Sequence, residues 1–203
     1  MPDYIEVTKK NWKRYGNSVA YFTLDDGLVK NRVEGLANSG VLSLRLSSDI
    51  GQNKGFSYVL VDDVGNMIDL GANQEIRVFF KRENNPNKWD LGWSKGIYLM
   101  LNISNNSTFN ARGWASDCYF GYFAWHPQYQ NVFVLEILRI SGGSYSSLAY
   151  KTFNLSDGLQ VLELVFSNSG GFLEFGVLDV NGSSLFGLYK IDTSPLISGG
   201  VGF

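Results

Sequence analysis

Glu136 is the residue in this sequence whose surroundings first suggest chemistry. It is the only carboxylate in the aliphatic stretch NVFVLEILRIS, residues 131–141, which has the composition of a β-strand. Retaining glycoside hydrolysis needs two carboxyl groups about 5 Å apart. Alternate residues of a strand share a face, so Leu138 and Ile140 occupy the positions on Glu136's face where acidic partners would stand. The strand itself therefore offers no catalytic pair.

A second acid could come from another strand or loop, where the candidates are Glu163, Glu174 and Asp117. Each has a plainer interpretation as a polar residue in a loop or on the solvent face of a half-buried strand. His126 lies in AWHPQ, and the chain has no G-x-S-x-G elbow that would indicate a Ser-His-Asp site. We therefore predict no catalytic residues.

Aromatic and amide residues between positions 87 and 130 form a better candidate site. Such a site would bind a ligand without catalysing a reaction. Four of the five tryptophans lie there, interleaved with polar side chains. Sugar-binding sites combine an aromatic platform with planar polar partners. The alternative is core packing, which we favour for the run Tyr119, Phe120, Tyr122 and Phe123. The predicted ligand-binding set is Trp89, Asp90, Trp93, Arg112, Trp114, Asp117, Trp125, His126 and Gln128.

Composition excludes several other classes of site. One cysteine, Cys118, permits neither an internal disulfide nor a CxxC site, and we expect it to be a small buried hydrophobe. One histidine excludes a multi-histidine metal site. The net charge is −2 without a dense basic cluster, so no nucleic-acid partner is expected. No apolar run approaches the roughly 18 residues that would predict membrane insertion. The N-terminus lacks the apolar core of a signal peptide.

The elements that must position these residues are strands. Apolar residues recur with period two or in short runs, separated by turn residues such as the Asn181-Gly182 pair, a strong hairpin signal. The best helical candidate is only two turns long, at residues 8–16. We predict an all-β, two-sheet antiparallel β-sandwich forming a single domain over residues 1–203. The predicted strands are 18–24, 40–48, 56–63, 73–82, 96–104, 119–125, 131–141, 146–154, 159–167, 171–180 and 184–192.

The order of these features resembles the concanavalin A-like lectin and glucanase superfamily. The stretches that carry the resemblance are GVLSLRLSS, the long-looped pair around NQEIRVFF, the aromatic turn GYFAWHPQYQ, the hairpins of LQVLELVFSNSGGFLEFGVLDVNGSS, and the closing GVGF. The resemblance implies a jelly roll of two curved sheets. The family-16 glucanases of that superfamily carry the catalytic motif Glu-x-Asp-x-x-Glu on a central strand. This sequence does not contain that motif on the corresponding strand. A further strand usually follows GVGF in that superfamily. Calcium is an option in it, but no dense Asp/Asn cluster supports a site, so we predict no metal and no cofactor.

Five Asn-x-Ser/Thr sequons, at Asn102, Asn105, Asn106, Asn154 and Asn181, fit a protein of the extracellular space or a virion surface. We therefore expect a non-catalytic, lectin-like surface protein whose partner is a glycan. The first alternative is a structural or assembly protein of a virion or cell surface, in which the aromatics make contacts between self-associating subunits. A glycoside hydrolase is the third possibility.

Overall fold

The protein is an all-β sandwich of two antiparallel sheets. The computed structural model describes residues 12–16, 56–81, 96–125, 132–154 and 161–203. Within these ranges the strands are β1 Trp12–Gly16, β2 Phe56–Leu60, β3 Gln74–Lys81, β4 Gly96–Ile103, β5 Cys118–Trp125, β6 Val132–Ser141, β7 Ser144–Asn154, β8 Val161–Ser169, β9 Phe172–Leu178, β10 Ser184–Ile191 and β11 Gly200–Gly202.

The larger sheet has seven strands in the order β1-β2-β11-β4-β5-β6-β7, and the smaller has four in the order β10-β9-β8-β3. The consecutive strands β4 to β7 form a meander, because each pairs antiparallel with the next. The closing strand β11 lies between β2 and β4.

The prediction of strands is confirmed from β2 to β10, each of which falls on a predicted segment to within a few residues. The predicted strands 18–24 and 40–48 lie outside the described residues. The helical candidate at residues 8–16 is a strand over 12–16, which pair with β2 from Trp12 opposite Leu60 to Gly16 opposite Phe56. This partner lies some forty residues away in sequence, so the local pattern gave no sign of it.

The hairpin predicted at Asn181-Gly182 is confirmed, and it joins β9 to β10. Gly182 has a φ of 80°, a backbone conformation that glycine adopts without steric cost. Its N–H donates to the Asp179 carbonyl at 3.0 Å. The Asp179 carboxylate accepts the N–H groups of Asn181 and Ser183, both at 2.8 Å, which fixes the turn.

The core between the sheets consists of apolar side chains from both. We call the face of the seven-stranded sheet that contributes to this core its inner face, and the opposite one its outer face. The packing predicted for Tyr119, Phe120, Tyr122 and Phe123 is confirmed, since all four are buried. Alternation sends Tyr119 and Phe123 to the inner face and Phe120 and Tyr122 to the outer face.

Buried amides tie the two sheets together at one end. The Asn102 N–H donates to Gln74 Oε1 at 2.7 Å, and Asn168 Nδ2 donates to Asn102 Oδ1 at 2.8 Å. Gln74 Nε2 donates to the carbonyls of Gly71 and Gly199, both at 2.7 Å. Because each amide finds a partner, the network can be buried without leaving those groups unsatisfied.

Candidate functional site

Four polar side chains form a row across the outer face of the seven-stranded sheet. Tyr98 of β4 is paired with Tyr122 of β5, Tyr122 with Glu136 of β6, and Glu136 with Tyr150 of β7. Residues directly opposite one another on antiparallel strands share a face, with Cβ atoms about 5 Å apart. We call these four residues the Tyr–Glu row.

Burial in the Tyr–Glu row is greatest at Tyr122 and decreases from there toward β7. Tyr122 is 9% exposed and Tyr150 is 47% exposed, while Glu136 between them is half-buried. Burial raises the pKa of Tyr122 to about 12, the charge of Glu136 raises it as well, and Arg112 acts in the opposite direction. The Tyr122 phenol therefore stays neutral and keeps its proton at physiological pH.

Buried apolar side chains continue the outer face from the Tyr–Glu row toward the β6–β7 turn. In the adjacent row Phe120 is paired with Leu138, and Leu138 with Ser147. In the row after that, Cys118 is paired with Ile140. The expectation that Cys118 is a small buried hydrophobe is confirmed, and burial raises the pKa of its thiol.

A loop of residues 104–117, between β4 and β5, folds over part of this outer face. The Tyr98 hydroxyl donates to the Arg112 carbonyl at 3.0 Å, and Ser57 Oγ donates to the Gly113 carbonyl at 2.6 Å. The ring of Trp114 packs against that of Phe120, with centroids 5.0 Å apart. Loop 104–117 is thus held to the sheet by hydrogen bonds and ring contacts.

A groove of about 160 Å³ lies between loop 104–117 and the β6–β7 turn. Tyr145 borders it with 70% of its surface exposed. Two hydrogen bonds connect the β6–β7 turn to loop 104–117 at the bottom of the groove. Gly143 N donates to the Ser116 carbonyl and Gly142 N donates to Asp117 Oδ1, each at 2.8 Å. The lining residues are Thr108, Phe109, Asn110, Trp114, Ala115, Ser116, Ile140, Gly143 and Tyr145.

Three of the predicted ligand-binding residues, Arg112, Trp114 and Asp117, lie in loop 104–117. The Arg112 guanidinium stands over the Trp114 ring, 5.3 Å from its centroid. The Asp117 carboxylate accepts from Ser116 Oγ at 2.7 Å as well as from Gly142, so it shapes the loop. Trp125 ends β5. Trp89, Asp90, Trp93, His126 and Gln128 lie outside the described residues.

Tyr98, Tyr145 and Tyr150 are residues of this face that sequence reasoning did not single out as site candidates, and it considered Glu136 only as a catalytic acid. They lie in four places along the chain, each inside an ordinary strand pattern. The signal that unites them is the register of four neighbouring strands, which only hairpin lengths could have suggested.

The carboxylates proposed as partners of Glu136 lie elsewhere. Among the residues of strands β4, β5, β6 and β7, Glu136 is the only carboxylate, and its cross-strand neighbours are tyrosines. Asp117 lies in loop 104–117, where its carboxylate accepts from Ser116 and Gly142. Glu163 and Glu174 belong to the four-stranded sheet. The expectation of a solvent-facing Glu163 is wrong, because it is 5% exposed and lies 3.4 Å from Arg77. Glu174 is exposed, as expected.

Metal-binding clusters and membrane-spanning helices are both absent from the described residues. In those ranges no three His, Cys, Asp or Glu side chains come together as a metal site would require. The same part of the chain contains no helix with the length and apolar character to cross a membrane.

Comparison with known proteins gives one weak structural similarity. No protein-family model matches the chain, and no curated protein matches it in sequence. Among solved structures, the fold is similar to the CBM2 module of Lactobacillus casei BL23 phage J-1 evolved Dit, with a TM-score of 0.40 and 12% identity. The match covers 73% of this chain and 59% of that one. A similarity at this level assigns neither a family nor a ligand.

Proposed function

We propose that this protein is a non-catalytic, lectin-like carbohydrate-binding protein whose ligand lies on the outer face of the seven-stranded sheet. The observation that carries the proposal is the Tyr–Glu row, in which a single half-buried carboxylate stands between two tyrosines, one of them open to solvent. Such a row offers ring surface and hydrogen-bonding groups side by side.

The chemistry of a sugar ring fits that row. Its C–H face can pack on the ring of Tyr150, which is large, rigid and half-exposed. Its hydroxyl groups can donate to Glu136, and hydrogen bonds to an ionised acceptor are roughly twice as strong as neutral ones. Partial burial strengthens these bonds further, because the local dielectric is lower than that of water.

The absence of catalysis is part of the proposal. Retaining and inverting glycosidases both place a second carboxyl group across the scissile bond. Tyr122 and Tyr150 occupy the cross-strand positions beside Glu136. A reducing-sugar assay on the glycans that the protein binds should give no release, and release that disappears in Glu136→Gln would establish the hydrolase instead.

The proposal also includes the concanavalin A-like jelly roll, a location outside cells or on a virion, and binding without calcium. The jelly-roll fold is supported by the two antiparallel sheets of unequal size. The location outside cells or on a virion is supported by the exposed sequons at Asn105, Asn106, Asn154 and Asn181. Binding without calcium is supported by the Tyr–Glu row, because its polar groups can contact sugar hydroxyls directly. Binding should therefore survive EDTA.

A glycan array tests the proposal. The wild-type chain should bind at least one glycan, and Glu136→Gln and Tyr150→Ala should each weaken that binding about tenfold, or about 1.4 kcal/mol. Val64→Ala is the control, since Val64 is 81% exposed in the turn that follows β2. Failure of the wild-type chain to bind any glycan would refute the proposal.

A second candidate function is assembly of a virion or cell-surface structure from copies of this chain. It is favoured by exposed apolar side chains on the outer side of β9 and β10, where Phe172 is paired with Ile191 and its ring lies 6.3 Å from that of Tyr189. Exposed clusters of this kind mark interaction surfaces. Sedimentation should then show an oligomer that Ile191→Ser dissociates, whereas a monomer at all concentrations would exclude assembly through this surface.

A further inference from the structure

We infer that the ligand is an oligosaccharide several sugars long, which lies along β6 and β7 and contacts the protein at both the Tyr–Glu row and the groove beside Tyr145. This inference rests on the proposed function and specifies the class of glycan. It depends on three observations: the distance between the two contact points, the surface between them, and the rigidity of the groove.

The two contact points are too far apart for one sugar. Glu136 is paired with Tyr150, and Ile140, four residues further along β6, is paired with Tyr145. At about 3.3 Å per residue, four residues of strand span about 13 Å. That distance exceeds the width of a single sugar ring, so a ligand that fills both points must be a chain.

The row between the two contact points presents a polar group. Leu138, paired with Ser147 across β6 and β7, is the residue between the two rows. Leu138 is only 8% exposed and contributes little surface, so the group open to a ligand in this middle row is the hydroxyl of the exposed Ser147. A hydroxyl at this position can form a hydrogen bond with a sugar that bridges the two contact points.

The groove is small and shaped for the end of such a chain. Its volume of about 160 Å³ is below the roughly 300–1,000 Å³ of pockets that enclose a whole small molecule. Tyr145 stands at its rim and Trp114 lines it, so a ring entering the groove would meet aromatic surface. A groove of this size would hold part of a ligand and leave the remainder along the strands.

The groove is also preorganised. Asn110 Oδ1 accepts the N–H groups of Arg112 at 2.9 Å and Trp114 at 3.1 Å, which fixes the tip of loop 104–117. The bonds from Gly142 and Gly143 fix its base to the β6–β7 turn. A site that is already ordered loses less entropy when a ligand binds.

The test uses an array on which neutral and acidic homo-oligosaccharides are each printed at one to six sugars. Wild-type affinity should rise at least tenfold between one and four sugars of the series that binds. Tyr145→Ala should keep the affinity for short members and lose this rise. Tyr150→Ala should lower affinity at every length, and Val64→Ala should match the wild type.

Each alternative result is distinct. An affinity independent of length, or a Tyr145→Ala profile identical to wild type, would overturn the extended site while leaving glycan binding intact. Absence of binding at every length would instead refute the proposed function. Because Tyr145 is 70% exposed, its replacement should leave folding unchanged, which thermal melts of each variant would verify.

Discussion

Tyr119 of β5 donates a hydrogen bond of 2.6 Å to Asp192, the residue that follows β10. The same oxygen, Asp192 Oδ2, accepts from Arg139 Nη1 of β6 at 2.7 Å. The Tyr119 oxygen in turn accepts the N–H of Leu196 at 3.0 Å. A tyrosine and an arginine of the seven-stranded sheet thus anchor the chain segment that leaves the four-stranded sheet.

This cluster predicts a loss of stability in acid. Burial raises the pKa of Asp192, but hydrogen bonds from Tyr119, Ser194 and Arg139 outweigh it and hold the pKa below 3.8. The depressed pKa means that the stabilisation is complete above about pH 4, the unfolded value, and is lost as the pH falls through the folded value. Asp192→Asn should cost about 1–2 kcal/mol at pH 7 by urea unfolding, and less at pH 3.

The control for this variant is Asp63→Asn, because Asp63 is exposed. It should change stability by less than about 0.5 kcal/mol at either pH. Equal costs for Asp192→Asn at pH 7 and pH 3 would show that the charge of Asp192 is not what stabilises the cluster.

The core leaves no room for a side chain at Gly121. A Cβ atom there would lie 3.0 Å from Phe166 and 3.3 Å from Phe175, two rings that pack edge to face on the opposite sheet. Gly121→Ala should therefore destabilise the fold by about 1–3 kcal/mol, since the rings must move. Gly187→Ala is the control, because nothing lies within 4 Å of its added carbon. Equal unfolding midpoints for Gly121→Ala and Gly187→Ala would show that the core accommodates the added methyl group without cost.

Much of the fold could be predicted from sequence because its strands carry local signals. Alternation and turn residues identify β6 and the β9–β10 hairpin without knowledge of their partners. β1 carries no such signal, because its pairing with β2 is set by contacts distant in sequence. Residue type predicts core packing for Tyr122, and it is indeed buried, yet its place between Tyr98 and Glu136 follows from register alone.

The buried amide network escaped sequence analysis for a related reason. Gln74, Asn102 and Asn168 are far apart in the chain, and isolated amides are normally surface residues. Gln74→Leu should cost about 2–3 kcal/mol, because the Asn102 N–H loses its acceptor and two glycine carbonyls lose a donor. The exposed change Asn105→Leu should cost much less. Similar chemical-denaturation midpoints for the two variants would contradict this role.

Burial divides the five sequons into two groups. Asn102 is 1% exposed and its side chain bonds to Asn168 and to the Gly71 carbonyl, whereas Asn154 and Asn181 are exposed. Folded protein secreted from glycosylating cells should carry glycans at Asn154 or Asn181 and none at Asn102. Peptide mapping by mass spectrometry measures this directly. A glycan on Asn102 in folded material would contradict the buried network.

Tyr98 predicts a link between the stability of loop 104–117 and ligand binding. Its hydroxyl donates to the Arg112 carbonyl, and its ring lies edge-on to that of Trp114, 6.1 Å between centroids. Tyr98→Phe keeps the ring and removes the hydrogen bond, so it should cost about 1 kcal/mol. It should also speed amide exchange within the loop, because loop residues near Arg112 lose an anchor.

The same variant tests how the loop contributes to binding. If loop 104–117 shapes one end of an extended glycan site, Tyr98→Phe should weaken binding of long oligosaccharides several-fold, since the groove must be ordered on binding. Tyr145→Phe is the control for stability, as it removes a hydroxyl from a side chain that is 70% exposed. Equal stability and equal loop exchange in the two variants would show that the hydroxyl of Tyr98 does not anchor the loop.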